Sequence, residues 1–159
     1  MQPEHDTSIW DPEARAGYWL NQASRSLLRV LESRLRPFGF GMSHLPVLTA
    51  LEGGGALSQK ELARAARVEQ PTMAEMLGRM VRDGVVDREP NPDDKRATLI
   101  SLSRRSRARF PKAKVALNEG ERDAMAGLTA EERVVLRELL KKVVKTLDAM
   151  EAKESGESG

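Results

Sequence analysis

The segment from Leu57 to Val86 packs two helix starts, a tight connection and a helix stop into a short stretch, and it constrains the fold more than any other part of the chain. Ser58-Gln59-Lys60-Glu61 has the form of a capping box, in which the Ser58 hydroxyl and the Glu61 carboxylate each satisfy a backbone amide left free at a helix start. Leu62, Ala63 and Ala66 give the short helix that follows one apolar face. Val68 falls in a tight connection, and Gln70-Pro71-Thr72 opens a second helix with proline where a first turn accepts it. Met73, Met76, Leu77 and Met80 recur at helical spacing, and Met76, Leu77 and Met80 are expected in the core. Asp83-Gly84 ends that helix, glycine being suited to a left-handed residue after the last turn. Two short helices joined by a tight turn make a helix-turn-helix.

A hairpin is expected next. Val85-Val86-Asp87-Arg88 reads as one strand and Ala97-Thr98-Leu99-Ile100-Ser101-Leu102 as the other. The loop between them, Pro90-Asn91-Pro92-Asp93-Asp94-Lys95-Arg96, is too long for a tight turn and is tipped with charge, as a wing would be. Helices flank this lobe. Asp11-Pro12 predicts the N-cap and first turn of a helix running to about Arg36, with Leu20, Leu27, Leu28, Leu31 and Leu35 as its stripe. Ser43 is expected to cap a second helix containing Pro46, and Gly53-Gly54-Gly55 to stop it. Ser103 is expected to cap a long helix to about Met125, kinked or split at Pro111. Thr129-Ala130-Glu131-Glu132 is a second capping box, opening a helix to about Met150 with Leu136, Leu139, Leu140, Val143, Leu147 and Met150 along one side. The fold class is therefore mainly α with a small β-hairpin: a winged helix-turn-helix with N- and C-terminal helical regions. Residues 1–11 read as an arm, 12–150 as the domain, 55–102 as the lobe within it, and 151–159 as a flexible tail.

The composition removes several function classes. A chain of 159 residues with 40% hydrophobic and 31% charged residues has room for one domain with a sizeable core and a charged surface. No cysteine is present, which excludes disulfides, thiol catalysis and thiolate metal sites, and His5 and His44 are too few for a histidine-rich site, so no metal and no cofactor is expected. There is no glycine-rich phosphate loop with its lysine, no HExxH and no nucleophile motif, so catalytic residues are not expected either. No apolar run approaches a membrane span, and the polar, acidic start is unlike a secretory signal; the expected location is the cytoplasm. The net charge of +2 decides little, but its distribution is uneven: positive charge dominates from Arg64 to Arg109, while Glu4, Asp6, Asp11 and Glu13 begin the chain and Glu151, Glu154 and Glu157 close it.

The order of these elements, together with Leu57-Ser58-Gln59-Lys60-Glu61-Leu62-Ala63, Val68-Glu69-Gln70-Pro71-Thr72-Met73, Arg79 to Val86, Asn91-Pro92-Asp93-Asp94-Lys95-Arg96-Ala97 and Ile100-Ser101-Leu102-Ser103, resembles the MarR family of transcriptional regulators, in particular its SlyA-like branch. The chain departs from the family pattern at Ser103, where threonine is usual, and at Ser106, where glycine is frequent; both changes keep a capping hydroxyl or a surface position. The resemblance implies a homodimer built by residues 12–37 and 103–150. It also implies sequence-specific binding of double-stranded DNA, repression, and release when a phenolic or other aromatic effector binds between dimer region and lobe.

Individual residues then receive roles. Gln70 can bond an adenine edge in two places and Thr72 can offer a hydroxyl or a methyl group, so these two, the Pro71 turn that presents them, Met73 and Glu75 are expected near base edges. Ser58, Arg64, Arg67, Arg79 and Lys95 are expected at phosphates, with helix capping an equally good account of Ser58. At a wing tip the Arg96 guanidinium can enter the minor groove, held by a forked salt bridge from Asp94; the family pattern implies the same pair. Two symmetry-related recognition helices would read a pseudo-palindrome. Tyr18, Trp19, Arg25, Phe38 and His44 are the candidates for an effector pocket, although aromatic residues on a first helix also suit a dimer interface. The rival reading is a winged helix that binds protein rather than DNA; such a surface would lack the basic wing.

Overall fold

The computed structural model describes residues 11–94 and 97–156. Contacts divide the chain into two units, one ending at Gly120 and one beginning at Glu121. The first holds α1 (Ala16–Leu35), two 3-10 turns (Arg36–Phe38 and Met42–His44), α2 (Leu45–Ala50), β1 (Leu57–Ser58), α3 (Gln59–Ala66), α4 (Gln70–Arg82), β2 (Val86–Pro90), β3 (Thr98–Leu102) and most of α5 (Arg104–Ala124). The second holds the end of α5 and α6 (Ala130–Gly156).

The helix-turn-helix forms where its local signals stand. The Ser58 hydroxyl accepts from the Glu61 amide at 3.3 Å while the Ser58 amide donates to the Glu61 carboxylate at 2.8 Å, so both halves of the capping box are made. That same carboxylate, held by the Ser58 amide first and its hydroxyl second, titrates below the ordinary range for glutamate. Helix α3 ends on Arg67 in the left-handed region, φ 54°, with the Val68 amide reaching back to the Ala63 carbonyl at 3.1 Å. Helix α4 ends the same way on Gly84, φ 66°, the Val85 amide bonding the Met80 carbonyl at 2.8 Å. Between these stops α4 buries Met73, Leu77 and Met80 completely. Each contributes about 1.5–3 kcal/mol by leaving water.

The expected hairpin is the larger part of a three-stranded antiparallel sheet, ordered β1-β3-β2. Val86 faces Leu102 and Arg88 faces Ile100, which puts Val86, Ile100 and Leu102 into the core. The unexpected strand is β1, where Leu57 pairs with Ile100 and Ser58 with Leu99. Two residues are too few to show an alternation, and only the neighbouring β3 edge makes them a strand. The core continues through Leu35, Phe40, Val47, Leu48, Leu51, Leu62 and Phe110.

Five features differ from expectation. Helix α1 begins at Ala16 rather than Pro12, because the Asp11 carboxylate accepts from the Glu13 amide and the Pro12 carbonyl accepts from the Arg15 amide, a local turn that competes with helix. Ser43 caps nothing; it lies inside the second 3-10 turn, whose start is satisfied by Glu32 of α1 accepting from the Met42 amide at 2.7 Å. Pro111 does not split α5, which runs on between buried Phe110 and buried Ala113. Ser106 is not on the surface: it is 1% exposed and bonded to the Ser103 hydroxyl, which also donates to the Gly84 carbonyl. Ser103 does cap α5, accepting from the Ser106 amide at 3.1 Å. Finally, residues 151–156 are helical rather than a flexible tail, since Glu151 to Glu154 are good helix formers with no stop signal among them.

Candidate nucleic-acid interface

With Met73, Leu77 and Met80 turned inward, the opposite side of α4 is left to solvent. Its exposed row runs Pro71, Glu75 and Arg82, with Thr72 and Arg79 beside it and Gln70 at the helix start. Near its C-terminal end Glu75, Gly78, Arg79 and Arg82 line a shallow groove of about 310 Å³. The sequence therefore builds an amphipathic helix whose polar side has no partner within the lobe, which is what a helix entering a DNA groove requires.

The structure separates the proposed contact residues into three kinds. Gln70, Pro71, Thr72, Glu75 and Arg79 stand exposed on α4, and Arg64 and Arg67 stand exposed at the end of α3. Met73 does not belong with them: it is fully buried, so its expected place near base edges is corrected to a place in the core, where its spacing from Leu77 and Met80 puts it. Ser58 is committed to its cap, because its hydroxyl donates to Glu61 at 2.7 Å and has no proton left for a phosphate. In the wing, the Asn91 amide donates to the Ala97 carbonyl, the Ala97 amide to the Asp94 carbonyl, and the Asp93 amide to the Asn91 side chain, so the loop is closed on both sides of its tip. Asp94 is exposed there. Lys95 and Arg96 lie outside the described residues.

Two further residues belong with this surface. Arg82 lies one turn beyond Arg79 on the groove, a position the helical spacing could have revealed. Gln59, at the first position of α3, donates from Nε2 to the Gln70 carbonyl at 3.3 Å and so fastens the start of α3 to the start of α4. No spacing rule points to that bond, which crosses between two helices.

The effector candidates do not converge within one chain. Tyr18 and Trp19 pack edge to face, ring centres 5.2 Å apart, and the Trp19 indole donates to the Glu13 carbonyl. They lie near the start of α1, roughly 25 Å along the helix from Leu35, whereas Phe38 packs on the core just beyond that end. Arg25 is exposed midway. His44 is half-buried, accepting from the Gly41 amide at 3.2 Å through Nδ1, which fixes the neutral ring with its proton on Nε2. Burial holds its pKa below the ordinary value, against the pull of Asp83 and Glu32 and with the help of Arg79. Among the described residues no three acidic or histidine side chains gather as a metal site needs, and no helix is long and apolar enough to cross a membrane.

A model of the MarR family matches residues 38–97, which run from the first 3-10 turn through the wing. The chain is 30% identical over 138 residues to an uncharacterized HTH-type transcriptional regulator of Mycobacterium leprae, covering 87% of this chain and 96% of that one. Its fold is similar to the crystal structure of a probable transcriptional regulator from Pseudomonas aeruginosa, with TM-score 0.73, 27% identity, and coverage of 84% of this chain and 99% of that one. It is also similar to a cysteine-to-serine mutant of MarR from E. coli complexed with operator DNA, with TM-score 0.70, 28% identity, and coverage of 80% and 91%.

Proposed function

The chain belongs to the MarR family of transcriptional regulators, and from that premise we propose that it binds a pseudo-palindromic DNA operator as a homodimer and represses transcription until a small aromatic effector releases it. The observation that carries this reading is the polar side of α4, left open by a helix whose apolar side is fully used. The E. coli MarR complex supports it, since a protein of similar fold holds operator DNA. Gln70, Thr72 and Glu75 meet base edges, presented by the turn at Pro71. Arg64, Arg67, Arg79, Arg82 and Lys95 meet phosphates. Arg96 enters the minor groove, oriented by Asp94. The wing residues Asp94-Lys95-Arg96 also support the SlyA-like branch. Dimerisation through α1, α5 and α6 is supported by the apolar side chains those helices leave exposed, Trp19, Leu28, Leu139 and Leu147 among them. The protein works by binding rather than catalysis, in the cytoplasm. The effector contacts, drawn from Tyr18, Trp19, Arg25, Phe38 and His44, require the partner subunit to bring separated residues together.

Fluorescence anisotropy with duplex DNA from upstream of the protein's own gene tests the reading. The expected result is tight binding that is lost for scrambled DNA, weakens steeply with salt as counterions are released, and falls roughly ten- to a hundredfold in Arg96→Ala. A folded dimer that binds no duplex even at low salt would overturn it and favour a protein partner for the winged helix.

A further inference from the structure

The described glycines explain themselves with one exception. Gly39, Gly54 and Gly84 have positive φ, a conformation that side chains resist. Gly120, inside α5, is filled from outside: a Cβ there would meet Leu31 at 3.2 Å and Arg34 at 3.3 Å, so the glycine lets α1 and α5 approach. At Gly41 a Cβ would meet the Glu32 carboxylate at 3.2 Å. Gly53 sits in a turn and Gly55 in the loop after it, Gly127 lies in the connection between α5 and α6, and Gly17 lies in the first turn of α1. Gly78 has none of these reasons. It lies in the interior of α4, where glycine weakens a helix relative to alanine. Its φ is not positive, and a Cβ built on it meets nothing within 4 Å. Nothing inside the chain requires its bare backbone.

What lies outside does supply a reason. Gly78 is half-buried beside the exposed row of α4, in the groove it lines with Glu75, Arg79 and Arg82. Two guanidinium groups beside a stretch of helix backbone that no side chain shields suit an anionic chain that runs across the helix and touches it closely. The acid in the groove, Glu75, lies toward the helix start, where base edges are expected, and the two arginines lie at or beyond Gly78, toward the helix end. We infer that Gly78 is the point at which one sugar-phosphate strand of the DNA crosses α4, packed against its bare backbone with Arg79 and Arg82 alongside. This inference rests on the DNA-binding reading and adds a contact to it: the glycine is kept at a cost to helix stability because a side chain would hold the strand away.

The test uses the full chain with Gly78→Ala, whose Cβ meets nothing within 4 Å, and with the larger Gly78→Leu, whose folding the unfolding curve checks. Thermal unfolding and DNA anisotropy are measured together. For Gly78→Ala, Tm should rise by about 2–4 °C as the helix gains a better former. DNA affinity should fall roughly five- to a hundredfold, as expected for a methyl group forced into a close contact, and Gly78→Leu should fall further. The fold-loss should be the same for operator and for scrambled duplex at low salt, where nonspecific binding is measurable, since a backbone contact carries no sequence information. A merely structural role would move stability and affinity in the same direction. Undiminished affinity in both variants, with the wild type binding normally, would overturn this inference alone, and so would a loss confined to particular base pairs. Failure of the wild type to bind any duplex would overturn the DNA-binding reading and this inference with it.

Discussion

Helices α4 and α6 carry apolar residues at the same helical spacing and use them differently. In α4, Met73, Leu77 and Met80 are wholly buried by the surrounding lobe. In α6, Leu139, Leu140, Val143, Leu147 and Met150 remain 36–53% exposed. The difference lies in where the complementary surface is. The lobe closes around α4 with α3 and the sheet, so one chain suffices. The stripe of α6 is long, regular and uncovered, as the proposed pairing with a second copy of the chain requires. An apolar stripe specifies that a face will be buried, but the molecule that buries it is specified elsewhere.

The sharpest way to break the comparison is to charge the open stripe. Leu140→Glu combined with Leu147→Glu should convert a dimer to monomers in analytical ultracentrifugation and remove tight operator binding, because two half-sites are then no longer held together. A variant that sediments as wild type would show that α6 does not carry the interface. Next in size is Leu77→Ala in the closed stripe. It should cost about 3 kcal/mol in urea unfolding by deleting packed methyl groups and leaving a cavity; a cost below 1 kcal/mol would mean the lobe is loosely packed. Ser58→Ala removes the capping hydroxyl at the start of α3 and should cost about 1 kcal/mol. If Ser58 acts as a cap and not at phosphate, operator affinity at saturating folded protein stays unchanged.

The smallest effect concerns His44, which faces Glu32 of α1, Arg79 of α4 and Asp83 just after α4. Its folded pKa lies below the unfolded value of about 6.5, so the folded chain takes up its proton less readily than the unfolded one. Stability is therefore complete above about pH 6.5 and declines as pH falls from there toward the lowered value. His44→Gln, which keeps an acceptor for the Gly41 amide, should flatten the denaturation midpoint across that range while leaving the steeper acid transition of the carboxylates. An unchanged profile would remove His44 as the cause.

Much of the interface was legible in the residues because its signals are local. The Ser58–Glu61 and Thr129–Glu132 boxes each span one turn, and both form, the latter with the Thr129 amide on the Glu132 carboxylate at 2.8 Å. Gly84 is left-handed as a helix stop should be. Errors arose where a local signal met a competitor. Asp11-Pro12 is a good helix start, but the Asp11 side chain satisfied a turn first. Ser43 has the right chemistry for a cap, yet Glu32, ten residues earlier in sequence, reached the amide instead. Met73 was assigned a second role beside polar Gln70 and Thr72, although its spacing already placed it inside.

By itself the sequence determined which segments are helical, where most of them stop, which side of α4 and α6 is apolar, and that a charged loop joins β2 to β3. Each of these depends on residues within about two turns of one another, so chain connectivity brings the interacting groups together. The tertiary structure alone decided that Leu57–Ser58 is a strand, that Gln59 fastens the two recognition-lobe helices, that Ser106 is buried, and that Gly78 meets no neighbour. Those outcomes depend on groups distant in sequence whose meeting is set by how the whole core packs, and no local pattern of residues encodes a distance across the fold.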